Sequence, residues 1–541
     1  MDKTSRRKPH LRGSFSFVAI VMVALVSASA YAFDQHFFFF IPGNLVVSRT
    51  VYDNNPANVS VGETLPPGCT SGCVAATNNG TYPQVFNNNL VDGSFGITSK
   101  IFLDQITPFG FRFGTLEVPN SNSGSPFERG PVVTSFSSKS ELALNLSTDR
   151  KFLTFMGYVS PIDALDVSNS NTPGVIDPTN PVSESVFRAV AQVDQWGRFQ
   201  FTATNAYSGN NGRAAILNDD IDAYYTAGNA GNGGNPQPVG IILGAGAQFI
   251  SPEDIPLLTQ NPGTPTPLAS FNITELPANK KPDKVGKDDN FRGLTIFNNV
   301  VYYTKGSGGN GIDTVYFVDT TGSACPNGVG LPSPTATLPT TPLSYNPATV
   351  ATLGLPNNMC ILSGFNTVLA KTSTTSFPFG VWFANATTLY VADEGDGTLA
   401  DAATDGFAGL EKWVFNSATS SWKLAYTLQN GLGLGVQYTV PGYPTGTNPA
   451  TGLPWAPETD GLRNLTGIVH RDGTATIYAV TSTVSGNGDQ GADPNKLVAI
   501  TDNLAATSLP ASESFHTVRS AGFGEVLRGV SWTPEGDHDF F

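Results

Sequence analysis

Charge is what the chain has least of. Asp, Glu, Lys and Arg make up 13% of its 541 residues, about half the usual share, which excludes charged coiled coils and long salt-bridged helices. Cysteine and methionine are scarce at four each, and histidine at five. Few histidines leave little for imidazole catalysis, and neither a G-x-S-x-G elbow nor an H-E-x-x-H helix occurs. Beyond the N-terminus no apolar run approaches the ~20 residues of a membrane helix. Helical periodicity is also scarce, and Gly-rich Gly306–Gly311 opens no helix, so it is no phosphate loop.

What is present is turn and strand material. Gly (57) and Pro (39) punctuate a chain that is 40% hydrophobic and 11% aromatic, enough apolar matter for a large core.

The first residues predict export. Lys3, Arg6, Arg7, Lys8 and Arg12 form a basic stretch, Phe15–Ala28 is apolar, and Ala30-Tyr31-Ala32 offers a small-residue cleavage site before Phe33. That is the order of a secretory signal peptide, residues 1–32. Its removal takes away five bases and one acid, leaving 24 bases against 42 acids, a net charge of −18. Such a surface repels phosphate backbones and anionic lipid, so neither nucleic acid nor a membrane anchor is expected. In an exported chain four cysteines read as disulfides, and four allow three pairings. Cys69–Cys73 and Cys325–Cys360 are favoured, each closing a Pro/Gly/Asn-rich excursion. Zinc is the rival, with no C-x2-C pair to support it.

Strand–turn–strand units recur. Arg292–Thr304 reads as a strand, an Asn298-Asn299 turn and a second strand. Similar layouts begin at Glu141, Arg213, Phe379 and Arg463, each followed by further strand candidates such as Thr314–Asp319, Leu410–Phe415 and Leu497–Asp502. Four antiparallel strands repeated with loop inserts are the mark of a propeller blade. A sixth unit starts at Leu527–Trp532 with room for one strand, while Asn44–Arg49, Ile101–Asp104 and Phe113–Val118 stand unclaimed near the head. The expectation is therefore an all-β, six-bladed propeller over residues 33–541, with seven blades as the alternative. Its N-terminal strands pair with the C-terminal strand to close the ring. Residues 54–98, 228–240, 322–362 and 440–460 read as long loop inserts.

Asn205–Asn211, Leu389–Asp393 and Leu527–Val530, with Gly43–Arg49 and Phe102–Asp104, resemble the repeats and opening strands of uncharacterised secreted bacterial propeller-like proteins. The resemblance covers most of residues 43–533 and implies an exported propeller and no catalytic residue.

Two constellations stand out. Glu141, Arg213, Arg292, Arg463 and Arg528 occupy equivalent places at the start of the innermost strand, so they should converge on the channel. There they would either hold a small anion or fix one blade to the next. Asp393, Glu394 and Asp396, with Asp401 and Asp405, sit in a Gly-containing loop suited to Ca²⁺ or to simple turn capping. Asp219, Asp220 and Asp222, and Asp489 with Asp493, are weaker versions. Six N-x-S/T sequons, Asn145 and Asn464 among them, matter only for a glycosylating host. The functional expectation is a secreted, non-enzymatic propeller binding a small ligand, glycan or surface protein. A metal-assisted hydrolase or lactonase and a structural envelope component are the alternatives.

Overall fold

The structure is a computed structural model. It describes residues 38–536 apart from 71, 89–95, 123–131, 179, 230–245, 254–258, 261–263, 277–288 and 372–375. The signal-peptide stretch and most of the 228–240 insert thus lie outside the described residues. Two units are distinguished, Met1–Phe39 and Phe40–Phe541, and every strand belongs to the second. The described elements are almost entirely strand; the one α-helix is the four-residue Val350–Leu353. No described helix is long and apolar enough to cross a membrane.

The repeating hairpins form as the sequence predicts. Leu294–Phe297 pairs with Val300–Lys305 across Asn298 and Asn299, whose φ of +48° and +60° are those of a tight primed turn. Four discrete sheets follow one another. They run from Gly212 to Ala269 and from Leu294 to Leu362, then from Pro378 to Leu428 and from Glu458 to Ser520. In three of them four strands pair antiparallel in chain order; the 294–362 sheet adds the short parallel strand Val329–Gly330. Strands that bury both faces between neighbouring sheets, such as Gly212–Asn218, Ala223–Gly228, Val300–Lys305 and Thr314–Val318, read as unbroken buried runs.

The discrete blades therefore number four, not the six or seven expected, and the remaining strands are the reason. They make one continuous nine-stranded sheet. Glu525–Trp532 pairs with Leu45–Val51, in register Leu45↔Trp532 and Val51↔Glu525. Leu45–Val51 pairs with Thr98–Ile106, and that strand with Arg112–Glu117. One tail strand and three head strands thus lie side by side, as expected. The cause of the continuity is Val132–Ser135. It bonds Thr98 and Ser99 on one side and Tyr158 and Val159 on the other, stitching this run to Asn145–Leu146, Phe152–Val159, Arg188–Asp194 and Phe199–Thr204.

The arrangement is a propeller-like ring. Contacts between innermost strands pass from Asn145–Leu146 to Gly212–Asn218, on to Leu294–Phe297, Pro378–Asn385, Glu458–Val469 and Glu525–Trp532, and back to Asn145–Leu146. Glycines let these strands come close. A Cβ on Gly293 would sit 2.4 Å from the Phe379 carbonyl, and one on Gly529 2.3 Å from that of Leu142. Side chains then reach across: the Thr304 hydroxyl donates to the Phe379 carbonyl (2.5 Å), and the Asn464 amide to that of Arg528 (2.8 Å).

Both favoured disulfides form, Cys69–Cys73 and Cys325–Cys360. The 54–98 and 440–460 inserts are more than decoration. Tyr52, Tyr82 and Phe86 pack with Phe136, Tyr443 and Trp455 in one aromatic cluster, with Tyr82 and Tyr443 ring centres 5.8 Å apart. Two loop excursions far apart in sequence therefore share a core of their own.

Candidate functional site

One end of the channel is lined largely by residues flanking the inner hairpins, and the inner strands themselves wall the other. The first end is polar. A cavity of about 260 Å³ is lined there by Lys139, Ser307, Asp313, Glu394, Asp460 and Arg463, with backbone from Gly308, Gly309, Gly395 and Gly397.

The arginines and Glu141 gather around this end. Charge acts from one to the next, Arg213 with Arg292, Arg292 with Arg463 and Arg463 with Arg528, while Glu141 acts on Arg213 and Arg528. Much of their bonding joins sheet to sheet. Arg213 donates to Asn290 and to the Phe291 carbonyl, both at 2.5 Å. Arg528 donates to the carbonyls of Phe136 and Gly491, and Arg292 to the Ser140 hydroxyl at 2.8 Å. Arg463 pairs with Glu394 at 3.2 Å and lies over the Phe379 ring, which fills the sixth equivalent place. Glu141 accepts from Thr134, from the Ser135 amide and from the Tyr158 hydroxyl. It precedes its short strand rather than starting it.

These bonds leave capacity over. Among the described residues Arg292 Nε, Arg528 Nε and Nη1, Ser307 Oγ and Asp460 Oδ1 are buried without a hydrogen-bond partner. Burial pushes the Arg292 guanidinium down, and takes that of Arg528 down to about 9. Lys139 is reached by solvent within the channel, yet desolvation by the surrounding protein lowers its ammonium, with Glu394 partly offsetting the effect. Burial raises Asp460 to about 7, and Asp489 likewise.

The acidic loop divides its carboxylates among different partners. Asp393 turns inward and accepts from the amides of Phe377 (2.6 Å) and Gly395 (2.9 Å). Glu394 faces Arg463, and Asp396 accepts from the Thr398 amide at 2.8 Å. Each carboxylate has its own partner; Glu394 and Asp396 line the polar cavity, and Asp393 does not. Among the described residues the one group of three metal-type ligands is Asp319 with Cys325 and Cys360, and those cysteines are joined to each other. Of the other acids, Asp219 and Asp220 are exposed, while Asp489 and Asp493 are buried beneath the aromatic cluster. The sequons at Asn145 and Asn464 fall on inner strands.

Sequence reasoning missed Lys139, Ser307 and Asp460. Lys139 precedes an inner hairpin and Ser307 follows one, while Asp460 lies among the first residues of the inner strand Glu458–Val469. The signal available was position: Asp460 precedes Arg463 by three residues, and Ser307 closely follows the hairpin that Arg292 opens.

No protein family matches the sequence, and no curated protein does. Solved structures are similar in outline. A protein from Lactobacillus plantarum is 8% identical, with 91% of this chain and 99% of that one covered at a TM-score of 0.31. Kuenenia stuttgartiensis hydrazine synthase is 9% identical at a TM-score of 0.27, covering 70% of this chain and 66% of that one, just under two thirds of its length. The N-terminal domain of Nup159 is 9% identical over 92% and 98%, also at 0.27. At such scores these likenesses carry no argument about activity.

Proposed function

We infer that the protein is an exported propeller-like binding protein, residues 33–541 after loss of 1–32, whose polar channel end takes a small carboxylate-bearing ligand. The observation that carries this reading is the unused hydrogen-bonding capacity of Ser307 Oγ, a hydroxyl able to donate, which lines the same cavity as Lys139 and Arg463. A buried polar atom without a partner costs free energy that a polar ligand recovers. The cations supply the complement for a carboxylate, and the weakly basic Lys139 fits an ammonium set among other cations. Two disulfides support an oxidising compartment. Binding is favoured over metal-assisted hydrolysis because Asp393, Glu394 and Asp396 serve different partners.

Calorimetric titration with succinate tests the reading. Lys139→Gln alters a solvent-reached side chain, so it should fold normally and bind succinate roughly tenfold more weakly. Equal affinity in wild type and variant, or no succinate binding by either, removes the carboxylate site. Export is tested separately by the N-terminus of the secreted product, expected at Phe33.

A further inference from the structure

The other end of the channel has a different chemistry. Its cavity is larger, about 600 Å³, within the ~300–1,000 Å³ of small-molecule sites. All six inner strands contribute to its wall, and its most prominent side chains are two tryptophans, Trp382 and Trp532, both half-buried.

Their orientation is fixed by one glycine. A Cβ on Gly467 would lie 2.8 Å from three atoms of the Trp382 ring, so the indole rests against bare backbone. Trp532 donates its Nε1 to the carbonyl of the same Gly467 at 2.9 Å. Behind them Tyr390 lies nearly parallel to Trp382, at 6.0 Å and 27°, and Tyr478 meets Trp532 edge-on at 5.8 Å and 88°. Two large rings are thus held at the cavity wall by contacts made within the protein itself, a form of the preorganisation that binding sites use.

Most of the polar groups here are neutral. Asn145 lines the cavity, and its Nδ2 is buried without a hydrogen-bond partner. Asn298 and Asn299, exposed at the rim, offer two more side-chain amides. Of the charged lining residues, Arg150 is already held by Glu535 at 2.6 Å, and Asp220 stands exposed at the margin. Flat aromatic faces combined with side-chain amides suit a ligand with an apolar C–H face and hydroxyls at its edge. We propose that this aromatic end of the channel is a second binding site, for a neutral pyranose saccharide. It is distinct from the carboxylate site and does not depend on it. A carboxylate or phosphate ligand would find no unpaired cation here, and a purely apolar ligand would leave the Asn145 amide unsatisfied.

The test is tryptophan fluorescence titrated with maltotriose, cellotriose and chitotriose. At least one should give a saturable change at millimolar concentration or below. Asn145→Ala removes a donor that has no partner in the free protein, so it should leave the melting temperature unchanged while weakening binding by roughly threefold to tenfold. Trp382→Ala should abolish binding. Trp382→Phe, which keeps a ring in place, should retain part of it and controls for misfolding. Lys139→Gln should leave saccharide binding intact. The proposal is overturned if none of the three sugars binds, or if affinity is unchanged in both Asn145→Ala and Trp382→Phe.

Discussion

Asp393 and Glu411 are buried carboxyl groups on neighbouring strands of the 378–428 sheet that share the hydroxyl of Ser376. Burial raises Asp393 to about 7 and Glu411 to about 8, and the charge of each group acts against ionisation of the other. Both folded-state values lie above those of the unfolded chain. Their stabilising contribution is therefore complete at acid pH and is lost as pH rises through 7 and 8. The melting temperature should fall between about pH 4, where the unfolded groups ionise, and about pH 8, where the folded ones have done so. Glu411→Gln can still accept from Trp413 and should flatten that fall, leaving the variant more stable than wild type at the alkaline end. A wild-type curve that rises over this range would refute the assignment.

Asp104 behaves in the opposite sense. It meets Arg49 from the adjacent strand and Arg519 from the 458–520 sheet, each at 2.7 Å. Burial alone would raise its carboxyl, but the hydrogen bond and charge of Arg49, with Arg519, hold it below its usual value. Asp104→Asn takes this carboxylate from Arg519 and leaves Arg49 with Glu525 alone, and should cost about 3 kcal/mol. Denaturant titration at neutral pH measures this, and the deficit should shrink in acid as the wild-type carboxylate is itself protonated.

The close approach of inner strands gives a third expectation. Gly293→Ala puts a methyl 2.4 Å from the Phe379 carbonyl and 2.7 Å from the Thr304 hydroxyl, neither of which can retreat without parting two sheets. A loss of about 1–3 kcal/mol is expected. Gly473→Ala, where the new methyl meets open space at a turn with φ of +85°, separates backbone strain from steric overlap.

The two disulfides should differ. Cys325–Cys360 closes a span of 35 residues and Cys69–Cys73 one of 4. Chain-entropy arguments give about 4 and about 2 kcal/mol. Paired alanine substitutions followed by thermal melts should keep that order.

Much of the ring was legible because its signals are local. The Asn298-Asn299 turn, the Gly after Arg292 and Arg528, and the recurring inner-strand arginines are each written within a few residues. The nine-stranded sheet was not legible. Val132–Ser135 gives only two residues to each partner, and no turn motif announces pairing with strands on both sides. The acidic loop was opaque for a related reason. Spacing along the chain says nothing of which carboxylates turn inward, and Asp393 meets Glu411 only through a strand register, Val391↔Glu411, that the sequence does not encode locally. The tryptophan pair was hidden likewise, since Trp382 and Trp532 become neighbours through Gly467, a residue remote from both.

The innermost strand of the terminal sheet, Glu525–Trp532, emerges from the ribosome after every other strand of the ring. Until it docks against Leu45–Val51, the first strand keeps a free edge and the channel has a missing wall. Closure of the circle therefore waits until nearly all of these strands have been made.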